Sequence, residues 1–368
     1  MKVHLVVGAR PNFMKIAPLY KELLRNGDVF KPELIHTGQH YDEKMSKLFF
    51  EDLRMPKPDV YLAVGSGNHG SQTAKIMERY EEYLLSGGKP ELVVVAGDVN
   101  STFACAYVAK KHHISVAHLE AGLRSFDNDM PEEINRILTD RISDLLLTPS
   151  LDGNDNLIKE GADPKRIKFV GNIMMDSIVE HEKQAKASSI LHDLGLEEKQ
   201  PYILVTLHRP SNVDSFDGLS IILKAFRDLS SETKIVFPMH PRTRNNITRL
   251  QLDYLVSGNS NLLITDPIGY LDFMKLQMHA ALILTDSGGI QEESTFFGIP
   301  CLTLRENTER PVTITEGTNK LVKLDTHCIV SEAESVLEGD RKTGSIPMYW
   351  DGCTAQRVVK EFREFFDK

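Results

Sequence analysis

Short apolar runs, each followed by a helical pattern, recur along this chain in two series, and no other feature restricts its fold as strongly. The first series is KVHLVVGA, KPELIHTG, PELVVVAGD, ISVAHLEAG, DLLLTPS and RIKFVGN; the second is YILVTLH, KIVFPMH, NLLITDP, ALILTDS and PCLTL. Runs this apolar predict strands buried on both faces, and the amphipathic segments between them predict crossover helices. The pattern therefore demands parallel sheets covered on both sides. At 368 residues the chain exceeds the roughly 250 to 300 at which a single core stops growing, so two α/β domains are expected.

The segment NIMMDSIVEHEKQAKASSILHDLGLEEKQ separates the two series and reads as a charged helical linker. It sets a boundary near residue 171, with domains over 1–170 and 171–353. The last stretch, TAQRVVKEFREFFDK (354–368), has the spacing of an amphipathic helix that packs back on the first domain.

A net charge of -9 argues against a nucleic-acid partner, because a phosphate backbone demands a basic face. No apolar run approaches the roughly 20 residues that a membrane-crossing helix needs. The first run, VHLVVGA, is too short for a signal-peptide core and reads as a strand, so residence in the cytoplasm is expected. Cys105, Cys301, Cys328 and Cys353 lack the paired spacing of a zinc or disulfide framework and read as small buried hydrophobes.

In open parallel sheets, ligands bind beyond the carboxyl ends of the strands. The unusual residues of this chain stand there: Gly8-Ala9-Arg10-Pro11, Gly97-Asp98, Glu120, His208-Arg209, His240 and Ser287-Gly288-Gly289. Arg10 and Lys15 sit at a helix start, where cations are unfavourable against the helix dipole unless an anion is near. Asp98 and Glu120 follow neighbouring strands, so their carboxylates converge, as acid/base work requires. Glu132 and Arg136 in PEEINR lie four residues apart on one helix, where an ion pair alone would account for them. No HExxH or CxxC pattern accompanies His208 and His240, so no metal site is expected.

The stretch LTDSGGIQEES carries more information. Its glycines let a phosphate reach the backbone N–H groups of a helix start, and Ser287 adds a hydroxyl. Glu293, one turn in, suits the hydroxyls of a ribose better than a phosphate. Together they fit a nucleoside diphosphate. GSGNHG (65–70) matches the dinucleotide pattern G-x-G-x-x-G, but follows a short strand inside the domain and reads as a loop.

Seven motifs, GARPNFMKIAPL, HTGQHYD, GDVNSTFA, HLEAGLRS, PEEINR, LTDSGGIQEES and TERPVTITEGTN, stand in an order and spacing that resembles the non-hydrolysing UDP-N-acetylglucosamine 2-epimerases. The resemblance implies a glycosyltransferase-B-like architecture of two Rossmann-like domains, with the active site in the cleft between them, and a homodimer. It implies anti elimination of UDP to a 2-acetamidoglucal and re-addition with inverted C2, with no cofactor. Carried over by motif, Ser287, Gly288, Gly289, Glu293 and Arg310 hold UDP together with Arg10 and with His208, which joins the catalytic set. Asp98, Glu120 and Glu132 become the acid/base candidates, Lys15 and Arg136 supporting cations, and Phe273 a lining of the uridine site. Gln39 and His40 mark the allosteric UDP-sugar region of regulated members, although Tyr41 stands where an Arg is common and HRPSNVD where the family often has HRREN. Two alternatives remain: a 2-epimerase of a related UDP-2,3-diacetamido sugar, and a glycosyltransferase of the same fold.

Overall fold

A computed structural model describes residues 1–39, 56–196 and 200–367, without the side chains of Arg10 and Pro11. The chain divides into two compact units, one of Met1–Glu180 with Met348–Lys368 and one of His181–Pro347. The division falls inside the helix Ile173–Lys186, within the segment that reads as a linker.

The first unit holds a seven-stranded parallel sheet: β1 (Lys2–Val7), β2 (Lys31–His36), β3 (Val60–Tyr61), β4 (Leu92–Ala96), β5 (Ser115–Leu119), β6 (Leu145–Thr148) and β7 (Ile167–Phe169), in the spatial order β3-β2-β1-β4-β5-β6-β7. The second holds a six-stranded sheet of β8 (Tyr202–Thr206), β9 (Lys234–Pro238), β10 (Leu262–Thr265), β11 (Leu282–Thr285), β12 (Cys301–Thr303) and β13 (Asn319–Leu321), ordered β10-β9-β8-β11-β12-β13. Counted within each unit, both sheets share the order 3-2-1-4-5-6, to which the first adds a seventh strand beside its sixth, and this is the doubly wound order whose direction reverses between strands 1 and 4. Leu5 pairs with Leu34 on one side and Val94 on the other. Leu204 pairs with Val236 and Ile283 in the same way. β13 has no counterpart among the apolar runs, because it is a three-residue edge strand with Lys320 exposed at its centre.

The central strands are continuous apolar runs because helices cover both faces; all five residues of β4 are buried. The helix Phe216–Leu229 shows how sequence selects such a cover. Ser215 accepts from Gly218 N at 3.1 Å to start it, and Leu219, Ile222, Leu223, Phe226 and Leu229 form its buried stripe. In the first unit the helix Thr354–Phe366 begins on the Asp176 carboxylate, which accepts from Thr354 N at 3.1 Å and Ala355 N at 2.8 Å. Its Phe362 packs edge-on to Phe30.

The loop GSGNHG precedes the helix His69–Tyr83 but follows the edge strand β3, away from the reversal, and so lacks the position of a dinucleotide fingerprint. Cys105 and Cys301 are buried, whereas Cys328 and Cys353 are half-buried because each lies near a helix start at the rim; all four are free. Among the described residues no helix is long and apolar enough to cross a membrane.

Two buried histidines make the first unit sensitive to acid. Burial pushes His4 down to about 4 against the pull of Glu33, and pushes His36 down to about 4 as well. His36 Nδ1 accepts from Gly38 N at 2.7 Å, a bond only the neutral ring can accept. Below about pH 6.5 the unfolded chain gains protons at both rings while the folded chain does not, so stability present above that pH is lost as pH falls toward 4. The loss amounts to about 3 kcal/mol per ring. The urea midpoint should fall between about pH 7 and about pH 5, and a midpoint that stays in place would mean that neither ring is held neutral by the fold.

Candidate active site

In the first unit the reversal lies between β1 and β4, and one buried amide ties their ends together. Asn12, on the opening turn of the helix Arg10–Arg25, accepts from Ala9 N at 3.0 Å through Oδ1 and donates to the Ala96 carbonyl at 2.8 Å. Gly8 can approach because it lacks a side chain; a Cβ there would stand 2.1 Å from Ser101 Oγ. One turn after Asn12, the buried Lys15 ammonium pairs with the Glu120 carboxylate. Both sit over Gly97, where a Cβ would meet Lys15 Nζ at 3.1 Å and Glu120 Oε2 at 3.4 Å.

Glu120 adopts φ 74°, a left-handed conformation rare outside glycine. The turn it makes beyond β5 is held by two bonds, as Glu120 N and Ala121 N both donate to the Leu147 carbonyl at 3.0 Å. Asp98, the next residue after Gly97, is half-buried and pairs with Arg136 Nη2. Thus Lys15, Glu120, Asp98 and Arg136 are brought together at the reversal. What each of the two carboxylates meets is a cation.

The ion pair between Glu132 and Arg136 does not form. Arg136 Nη1 instead reaches Glu133 at 2.5 Å, because position 133 faces inward and 132 stays half-buried on the first helical turn. Glu133 itself is anchored by Ser125 N and Oγ and by Phe126 N, at 2.9 to 3.1 Å. Glu133 therefore fixes the guanidinium that holds Asp98, a role its spacing alone did not announce. Gln39 is buried, and its Oε1 accepts from Ser101 N at 3.1 Å and Ser101 Oγ at 2.7 Å. His40 and the Arg10 side chain lie outside the described residues.

The second unit repeats the arrangement with different chemistry. Here the reversal lies between β8 and β11, and the tie is Asp286, which is fully buried. It accepts from His208 N, Arg209 N, Asn212 Nδ2 and His208 Nδ1, all at 3.0 to 3.2 Å. Burial pushes this carboxyl up, but the His208 bond and charge and the two backbone N–H groups outweigh it and hold the group below its usual range. The His208 ring is thereby oriented through Nδ1 while more than half its side chain remains exposed. His240 acts locally, since its Nδ1 accepts from Arg242 N at 3.1 Å and caps the helix Pro241–Arg249.

Ser287 precedes the helix Gly288–Phe297 without capping it, and among the described residues no side chain accepts from Gly288 N or Gly289 N. Arg310 stands against this helix start. Its Nε lies 2.9 Å from Glu292 and its Nη1 2.5 Å from Glu309. A Cβ on Gly288 would sit 2.5 Å from Arg310 Nη1, whereas one on Gly289 would meet nothing within 4 Å. The loop bearing Arg310 is stitched down by Gln291, whose Oε1 accepts from Thr308 Oγ1 at 2.7 Å, and Thr308 Oγ1 in turn accepts from Arg310 N at 3.1 Å. Glu293 is buried and accepts from Gln277 Nε2 at 2.5 Å. Phe273 is half-buried and, with Ile290, packs against the buried cluster that contains Leu276 and Ile283. No group of three or more His, Cys, Asp or Glu suited to a metal ion occurs among the described residues.

Two doubly wound sheets, each with charged groups gathered at its reversal, define the class: a two-unit α/β protein with charged clusters at the strand ends. Comparison with known proteins narrows the class. A family model described as UDP-N-acetylglucosamine 2-epimerase matches residues 22–363. The chain is 42% identical to a Methanococcus maripaludis protein of that name over 97% of both chains. It is 40% identical to the UDP-2,3-diacetamido-2,3-dideoxy-D-glucuronate 2-epimerase of Pseudomonas aeruginosa, over 98% of this chain and 99% of the relative. The crystal structure of the Methanocaldococcus jannaschii UDP-GlcNAc 2-epimerase in complex with UDP-GlcNAc and UDP superposes with a TM-score of 0.90 at 39% identity, covering 99% of this chain and all of the other. The chain belongs to the UDP-N-acetylglucosamine 2-epimerase family.

The buried Lys15–Glu120 pair carries a stability consequence. Lys15→Met and Glu120→Gln each remove one half of this buried pair and should each cost about 3 kcal/mol or more, whereas the double variant should cost clearly less than their sum. A double-variant cycle in urea showing simple additivity would mean the two groups are not coupled.

Proposed function

We propose that this chain interconverts UDP-N-acetylglucosamine and UDP-N-acetylmannosamine by eliminating UDP and adding it back. The observation that carries this reading is the uncapped helix start at Ser287-Gly288-Gly289 with Arg310 beside it, in a chain of this family. Developing charge on a departing diphosphate needs donors already in place, and orphan N–H groups at a helix start, a guanidinium and an oriented imidazole supply them. Ser287, Gly288, Gly289, Arg310 and His208 take that role, with Arg10; Glu293 takes the ribose and Phe273 the uracil ring.

In the forward step a base removes the C2 proton, the C–H electron pair becomes the C1–C2 double bond, and the C1–O bond breaks to release UDP. In the return step a UDP oxygen attacks C1 and a proton reaches C2 from the opposite face. Inversion therefore requires two proton-transfer groups, and Asp98, Glu120 and Glu132 are the candidates. Lys15 and Arg136 orient their partner carboxylates. Neither step involves a hydride or a metal ion, so no cofactor is required.

The Pseudomonas relative supports a second reading at the level of the sugar, since 40% identity to it and 42% to the Methanococcus relative do not separate the two substrates. Both UDP-sugars belong in the assay. A substrate of this kind also argues for action in the cytoplasm. A homodimer is supported by exposed Tyr107 on the helix Asn100–Lys111 and exposed Ile134 and Leu138 on the helix Pro131–Ile142, two helices that pack on each other.

Incubated with UDP-N-acetylglucosamine in deuterated water, the protein should yield product carrying deuterium at C2. Asp98→Asn, Glu120→Gln and Glu132→Gln should each slow turnover about 100-fold or more with little change in UDP affinity. Product that keeps its original C2 hydrogen would refute the elimination route, and three variants with undiminished rates would place the base elsewhere. For the dimer, sedimentation should report two chains per particle and Ile134→Asp with Leu138→Asp should give one; an unaltered particle would remove this surface from the interface.

A further inference from the structure

The helix Tyr270–His279 places Phe273 and Gln277 one turn apart on the same face. Gln277 is fully buried on a helix whose Tyr270, Met274 and Leu276 are buried as well, and an apolar side chain at its position would be buried without an unpaired polar group. Its Nε2 donates to Glu293 Oε2 at 2.5 Å, while its Oε1 is buried with no hydrogen-bond partner among the described residues. The carboxylate opposite fixes which way the amide points, because the flipped amide would set oxygen against oxygen. Leaving one acceptor unpaired in a buried amide is a cost that packing alone does not explain. Burial, and then the charge of Glu293, push the neighbouring Tyr270 phenol well up.

We propose that Gln277 is the positioning residue for Glu293, holding one carboxylate oxygen so that Glu293 is set to take the ribose diol of the nucleotide. The proposal rests on the nucleotide-holding role assigned above to the second unit. The helix that supplies the aromatic lining through Phe273 thereby also supplies ribose recognition, through a side chain that need not touch the ligand. A rotated carboxylate would not hold a diol in register with the diphosphate donors at Gly288 and Gly289.

The test compares UDP with 2′,3′-dideoxy-UDP by calorimetry on the full chain. The wild-type protein should prefer UDP by about tenfold or more, the worth of hydrogen bonds to a charged acceptor. In Gln277→Met, which keeps the volume and removes the donor, the preference should fall below about threefold while affinity for the dideoxy nucleotide stays within about threefold of wild type. Gln277→Asn, which keeps an amide but withdraws it by one methylene, should behave the same way and serves if the methionine variant does not fold. A variant that retains the wild-type preference, or one that weakens both nucleotides equally, overturns the positioning role. A wild-type protein without any preference overturns the ribose role of Glu293 itself, and Gln277's with it.

Discussion

A single buried polar side chain at each sheet reversal is the constraint on which the rest of this molecule depends. A doubly wound sheet splits its crossover helices to opposite sides at that point, leaving the ends of strands 1 and 4 without a covering connection. The loops that leave them carry backbone donors and acceptors that need partners. Asn12 meets this need by bonding Ala9 N and the Ala96 carbonyl across β1 and β4. Asp286 meets it by gathering four donors from residues 208 to 212 onto one carboxylate after β11. Because each tie also sets the start of a charged segment, the positions of Lys15 and His208 follow from it.

Charge at these points is balanced locally. In the first unit Lys15 answers Glu120, and Arg136 answers both Asp98 and Glu133. In the second, Arg305 and Arg310 flank Glu309, and Glu292 takes the remaining side of Arg310. Buried ions persist only when paired, since desolvating an isolated charge outweighs any contact it makes in the core. Such pairs also hold long side chains in one orientation, which is what a site needs before a ligand arrives.

Much of the fold was legible because parallel strands buried on both faces leave no room for polar residues, so the apolar runs mark eleven of the strands directly. β3 and β13 were weak or absent signals, being two and three residues long at sheet edges where solvent relaxes the demand for apolar side chains. The placement of Asp98, Glu120 and His208 was legible too, as polar interruptions just past a strand end. Asn12, Asp286, Glu133, Gln291 and Gln277 were not. Each acts through a partner far along the chain or through a turn whose geometry spacing does not reveal; Gln277 meets Glu293 only once two helices pack. Even the contact between Arg136 and Glu133 turned on which of two adjacent glutamates faced inward, a matter of helix rotation rather than of sequence distance.

Equal topology did not produce equal chemistry, and the reason lies at the helix that follows strand 4 in each unit. In the first unit this is Asn100–Lys111, whose opening Ser101 N is already taken by Gln39 Oε1 from the end of β2. In the second it is Gly288–Phe297, where no side chain among the described residues accepts from the first two N–H groups and Arg310 adds positive charge beside them. A helix start holds an anion only while its donors are unclaimed. The same sheet order thus leaves helix-start donors open in the second unit and claims one in the first, where the reversal is given over to carboxylates held by Lys15 and Arg136. One glutamine that claims a helix start and two glycines that leave one open thus distinguish the two reversals.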